Sequence, residues 1–131
     1  MVKLMDKNQY YKHMFLIAAL WNWIIAVIMV LLSIVLPSSA RDFGMEVPPT
    51  WFFYHLMWFF VFVIGILLFV ISRDLEKYHG LMFIFVIEKV GVFLIGLAYY
   101  LIGDVNEGGL LIGVVDLIFG ILFIEFLINF K

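Results

Sequence analysis

Polar residues divide the chain into four long apolar runs, residues 13–36, 51–71, 80–102 and 108–130, separated by short breaks. Each run reaches the ~20 helical residues that cross a hydrocarbon core of about 30 Å. The runs are apolar on every side rather than along one stripe, which predicts helices solvated by lipid and not the one-sided helices of a water-soluble core. Period-two alternation is absent and the runs are about twice the length of barrel strands, so a transmembrane β-barrel is not expected. The predicted fold is all-α: one transmembrane domain, residues 1–131, forming an integral membrane four-helix bundle.

The breaks between runs differ in character. PSSARDFGMEVPPT, residues 37–50, holds Pro37, Pro48 and Pro49 together with several turn formers, which predicts the longest and most structured connection. Thr50, following two prolines, is placed to cap the second helix. SRDLEKYHG, residues 72–80, reads as a compact charged turn, and GDVNEGG, residues 103–109, as a glycine-rich hairpin between the last two helices. The first run has a basic start, and Ser38-Ser39-Ala40 resembles a small-residue cleavage site. Its apolar part is far longer than the usual ~7–15 residues of a signal peptide, so it is expected to remain as a span.

Basic residues fix the expected orientation. Lys3, Lys7 and Lys12 precede the first run, Arg73 and Lys77 lie in the second connection and Lys131 ends the chain, whereas Arg41 stands alone on the opposite side. The positive-inside rule then places both termini in the cytoplasm, in a multi-pass protein of the cell membrane.

Composition agrees with the pattern: 66% of residues are hydrophobic and the mean hydropathy is +1.17, far outside soluble usage. A net charge of -2 without a basic patch gives no basis for a nucleic-acid partner. The absence of cysteine excludes disulfide exchange, thiolate nucleophiles and Cys-ligated metals. No phosphate-cradling glycine loop, nucleophile elbow or HExxH motif is present.

Charge inside the apolar runs is what needs a reason. FVIEKVGVF, residues 85–93, sets Glu88 and Lys89 side by side in the third run. At about 1.5 Å per residue they lie roughly 12 to 14 Å deep, level with Asn22 of the first run. On the fourth run Glu125 lies about 8 Å in and Asp116 about 21 Å, close to the level of His55 on the second. Two polar layers are therefore expected. Glutamate and lysine near a helix centre each cost roughly 2.5 to 3.5 kcal/mol on insertion scales, against a return of about 0.3 to 0.6 for each Leu, Ile, Phe or Val. A third helix so marginal needs partners inside the protein.

Helical rotation narrows the partners. Asp116 lies on the stripe Gly109, Gly113, Asp116, Gly120, and Ala18, Asn22, Ala26, Met29 and Ser33 form a small and polar stripe on the first run. Small residues let membrane helices approach, so the third and fourth helices are expected to pair through Gly91, Gly96, Gly113 and Gly120. Lys89 can reach Asp116 or Glu125: the glycine stripe favours Asp116, the lean of side chains toward the helix N-terminus favours Glu125. Asn22 is expected to donate a hydrogen bond to Glu88. Glu88, Asp116 and Glu125 face one Lys89, so a carboxylate remains for proton exchange or a ligand, while the alternative reading gives these charges only the fixing of helix pairing.

Other candidates carry less. His13 and His79 both fall at cytoplasmic helix ends, where an interfacial place is expected more than a haem or metal. His55 stands beside Trp51 and Trp58, where an aromatic belt is expected, and its stripe through Phe62, Gly65 and Phe69 reads as packing more than as a cofactor box. Arg73 and Asp74 belong to a solvated loop in which Arg73 can meet lipid phosphate.

The pieces LIAALWNW, SRDLEKYHG, EKVGVFLIGLAYY and GVVDLIFGILF resemble those of small, mostly uncharacterised prokaryotic four-span proteins, and the layout is similar to that of DoxX-like four-helix membrane proteins, some of them quinone-linked oxidoreductase subunits. That resemblance covers nearly the whole chain and makes Asn22, Arg73, Asp74, Lys89 and Asp116 its motif positions, without implying a role for them. No cofactor motif accompanies it. The leading expectation is a non-enzymatic membrane protein with a polar intramembrane site at Asn22, His55, Glu88, Lys89, Asp116 and Glu125. That site would bind a lipid-like or quinone-like ligand or a partner subunit. A proton-coupled small transporter acting as a homo-oligomer, and an accessory subunit in a larger membrane complex, are the alternatives.

Overall fold

The computed structural model describes residues 6–130; Lys3 and Lys131, counted for orientation, lie outside the described residues. The fold is all-α, with four helices long and apolar enough to cross a membrane. Helix α1 spans Lys7–Val35 and α2 spans Phe52–Arg73. After the single turn α3, Leu75–Tyr78, come α4, Met82–Leu101, and α5, Glu107–Asn129. Two 3-10 segments, Pro37–Phe43 and His79–Leu81, fill connections. Helix α1 starts at Lys7, ahead of the apolar run, because Tyr10 and Tyr11 pack there as part of the helix.

Local chemistry sets the ends. Pro37 disfavours helical geometry at Leu36 and opens the 3-10 segment at its first turn. Thr50 does not take the cap position itself; Trp51 does, while the Thr50 hydroxyl accepts from the Phe52 N–H at 3.3 Å. Asp74 leaves helical geometry and its Oδ1 accepts from the Lys77 N–H at 3.2 Å, so α3 begins a new direction. Gly103, at φ +90, supplies the left-handed residue that stops α4. Asn106 then caps α5, its Oδ1 accepting from the Gly108 and Gly109 N–H groups at 3.0 and 3.3 Å. The same residue ties the two far connections together: its N–H donates to the Phe43 carbonyl at 2.9 Å and its Nδ2 to the Asp42 carbonyl at 2.6 Å.

Close backbone approach is concentrated in two pairs, α1 with α2 and α4 with α5. Gly65 of α2 lies so near α1 that a Cβ there would stand 2.6 Å from the Trp23 ring and 3.2 Å from the Ala19 carbonyl. On α5, a Cβ at Gly113 would meet Phe93 Cα at 3.5 Å, and one at Gly120 would meet Lys89 Cβ and Val90 Cγ2 at 3.3 Å. The expected part of Gly91 and Gly96 in that pairing is corrected, since neither has anything within 4 Å of a built Cβ. Gly91 is turned about 200° from Lys89. Gly96 shares the Lys89 face, seven residues on, but has open space beside it.

Large side chains fill the seam between the two pairs. Phe15 of α1 packs between Phe123 and Phe126 of α5, at ring separations of 5.3 and 4.9 Å, and Leu68, Ile71, Met82 and Phe85 complete one buried cluster to which all four long helices contribute. Outward faces carry exposed aliphatic and aromatic residues such as Ile17, Leu31, Phe59, Ile84 and Ile121, as lipid-facing helices require.

Candidate functional site

Lys89 is the centre of the polar cluster and is 1% exposed. Its Nζ donates to Asn22 Oδ1 at 2.9 Å and to Asp116 Oδ1 at 3.0 Å, and it lies 3.5 Å from Glu88 Oε2. An ammonium has three donors and no acceptor, so these oxygens are its natural surroundings. The choice between Asp116 and Glu125 thus falls to Asp116, reached because Gly120 lets the two backbones close around Lys89. Asn22 does not donate to Glu88 as expected. Its carbonyl oxygen is taken by the ammonium, which turns its Nδ2 to the Val61 carbonyl at 3.3 Å. Side chains of α1, α4 and α5 and a carbonyl of α2 therefore converge on one point at the seam.

Glu88 stands at the rim, its side chain 23% exposed. Its Oε2 is buried yet accepts no hydrogen bond, so the 3.5 Å approach to Lys89 is an electrostatic contact without donor alignment. Adjacent residues leave a helix about 100° apart, but both side chains are long enough for their charges to meet. Counted together, one ammonium faces two carboxylates. On the outer side of Glu88, Ile84 and Ile95 are exposed and Gly91 leaves open space, and the third spanning segment is the least covered of the four.

Asp116 and His55, expected at similar depths, have different hydrogen-bond partners. Asp116 belongs with Lys89, because the length of the lysine chain carries its charge away from its own Cα level. His55 pairs instead with Ser33, whose Oγ lies 2.7 Å from Nε2 and also donates to the Val30 carbonyl at 2.6 Å. With the single hydroxyl proton committed to Val30, the ring must donate from Nε2. This pair joins α1 to α2 away from the charged cluster.

Glu125 is also separate: the Tyr11 hydroxyl donates to its Oε1 at 3.2 Å. Nearby, Phe126 and Phe130 meet Tyr11 edge-on and pack against His79 and each other, and Lys7 Nζ donates to the Asn129 carbonyl. His13 is exposed, and His79 packs against Phe126 and Phe130. No group of three or more His, Cys, Asp or Glu placed to hold a metal ion occurs among the described residues. Arg73 and Asp74 lie at the end of α2, where they line a surface cleft with Lys12.

Three contributors escaped the sequence reading: Tyr11, the coupling of Ser33 to His55, and Asn106. For Asn106 a signal existed, since Asn before Glu-Gly-Gly and an apolar run is an N-cap pattern. Tyr11 had none, a tyrosine near a span end being ordinary belt chemistry.

Comparison with protein-family models, curated proteins and solved structures finds no match. The site is therefore interpreted from its own residues, in a four-span all-α chain with polar residues within its apolar helices.

Proposed function

We infer that the chain is a non-enzymatic integral membrane protein whose Asn22, Glu88, Lys89 and Asp116 cluster holds the polar end of a hydrophobic or amphipathic ligand, lipid-like or quinone-like. A partner subunit presenting an equivalent polar group would use the same feature. One observation carries this reading: Glu88 Oε2, buried 3.5 Å from an ammonium that donates to Asn22 and Asp116, accepts no hydrogen bond itself, and a polar atom left so in hydrocarbon is costly. The open space at Gly91 supports access from the lipid side. In gently solubilised protein, a lipid extract analysed by mass spectrometry and an absorption spectrum are expected to reveal a bound species that Glu88→Gln weakens and Glu125→Gln leaves unchanged. An identical extract from all three proteins would refute the reading.

The second carboxylate also supports the alternative of proton-coupled transport by a homo-oligomer, because one proton neutralises the cluster. Against it, α1, α2, α4 and α5 run without a proline break, whereas transporter sites typically use discontinuous helices. The DoxX-like layout would fit an accessory subunit of a membrane oxidoreductase.

Both readings share one orientation, with the ends of the chain in the cytoplasm. Reporter tags placed after residue 131 and within residues 38–47 are expected to be accessible from opposite sides of the membrane. Accessibility of both from one side would end the four-span topology.

A further inference from the structure

A second site, independent of Glu88, lies where α1 and the α2–α3 corner meet. Asn8, Lys12, Arg73, Asp74, Leu75, Glu76 and Phe130 surround a cleft of about 270 Å³. Its base is apolar, as Leu75 and Phe130 are buried. Its walls carry both signs of charge. Neither Lys12 nor Arg73 has an ion-pair partner among the described residues, where both ion pairs involve Lys89. The Arg73 guanidinium lies 6.0 Å from the Phe69 ring centroid, which orients it along α2 while leaving its N–H donors free. Of the acidic residues lining the same cleft, Asp74 uses one oxygen, Oδ1, to cap α3, and Glu76 is exposed.

The level of the cleft decides what meets it. Above Arg73 the helix is apolar from Leu56 to Ile71, and Tyr10, Tyr78 and His79 lie at the same end, the aromatic and basic mixture of a membrane–water boundary. Here the chemistry available in highest concentration is the phosphodiester of a lipid headgroup. Two unpaired cations suit that phosphate. Two carboxylates beside them suit a primary ammonium, which has N–H donors, and not a quaternary one, which has none.

We propose that this cleft binds the headgroup of an aminophospholipid, the phosphate on Lys12 and Arg73 and the ammonium on Asp74 and Glu76. The full chain, released for native mass spectrometry from vesicles holding equal parts phosphatidylethanolamine, phosphatidylcholine and phosphatidylglycerol, is expected to retain the ethanolamine lipid preferentially. Arg73→Gln and Lys12→Gln should each lower that retention about tenfold or more, whereas Arg73→Lys keeps much of it. Glu76→Gln, at an exposed position where misfolding is not a concern, should narrow the margin over phosphatidylcholine. Equal retention of the three lipids, or an ethanolamine preference unmoved by both Arg73→Gln and Glu76→Gln, would overturn the proposal. Displacement by equimolar water-soluble glycerophosphoethanolamine would overturn the assignment to a lipid. Glu88→Gln should leave the result unchanged, which separates this site from the intramembrane one.

Discussion

Replacing Lys89 by methionine is expected to destabilise the detergent-solubilised protein by about 3 to 5 kcal/mol, the usual cost of stripping one partner from a buried ion pair. The substitution removes the only cation of the cluster and leaves Asp116, Glu88 and the Asn22 carbonyl oxygen without the ammonium that they surround. Adding Asp116→Asn should recover much of the loss, because an amide replaces the stranded charge and can donate to Asn22. Adding Glu125→Gln should recover nothing, since Glu125 is held by Tyr11 in a separate contact. Chemical or thermal unfolding of the two singles and the double gives the coupling energy directly. Equal behaviour of the two doubles would mean that the ammonium is not held by Asp116.

The second large effect is expected at Gly65. Even alanine there would put a carbon 2.6 Å from the Trp23 ring, and that ring is not free to swing, being set between Phe62 and Phe69 at centroid separations of 6.2 and 6.0 Å. The nearby Ala19 carbonyl blocks the other escape. Gly65→Ala should therefore cost about 1 to 3 kcal/mol, as overpacking does, and Gly65→Leu more. Gly91→Ala, with open space around it, should be neutral or slightly stabilising through the better helix propensity of alanine. A melting temperature equally affected by Gly65→Ala and Gly91→Ala would show that α1 and α2 are not in close contact at this point.

These two cases mark how much could be read from the sequence. Four apolar helices were legible because run length in lipid is nearly a one-dimensional property. That Lys89 required a carboxylate was legible from the cost of an unpaired charge, and the glycine stripe pointed to Asp116. What was not legible depends on how helices rotate and which pairs are neighbours. Helices apolar all round give little facial signal, so Gly65 was marked only as part of a packing stripe on α2, without its partner helix, and Gly91 was wrongly given a contact. Depth counted along an axis set Asp116 level with His55 and Lys89 level with Asn22, and took no account of the length of the lysine side chain, which joins Lys89 to Asp116. Asn22 was recognised as polar and buried, but its partner followed only from which oxygen the ammonium reached first.

The placement of Lys89 and Asp116 on consecutive helices bears on how the chain is made. A ribosome delivers α4 before α5, and α4 alone brings Glu88 and Lys89 to the translocon with no carboxylate from another helix. The connection from Ile102 to Asn106 is short enough for α5 to follow at once, so the two can leave for the bilayer as a hairpin whose ammonium is already neutralised by Asp116. Asn22, synthesised long before, is then the group that this hairpin finds on arrival. Biosynthetic order thus makes one ion pair the permit for membrane entry of the second half, and a neutral amide the latch by which the earlier half receives it.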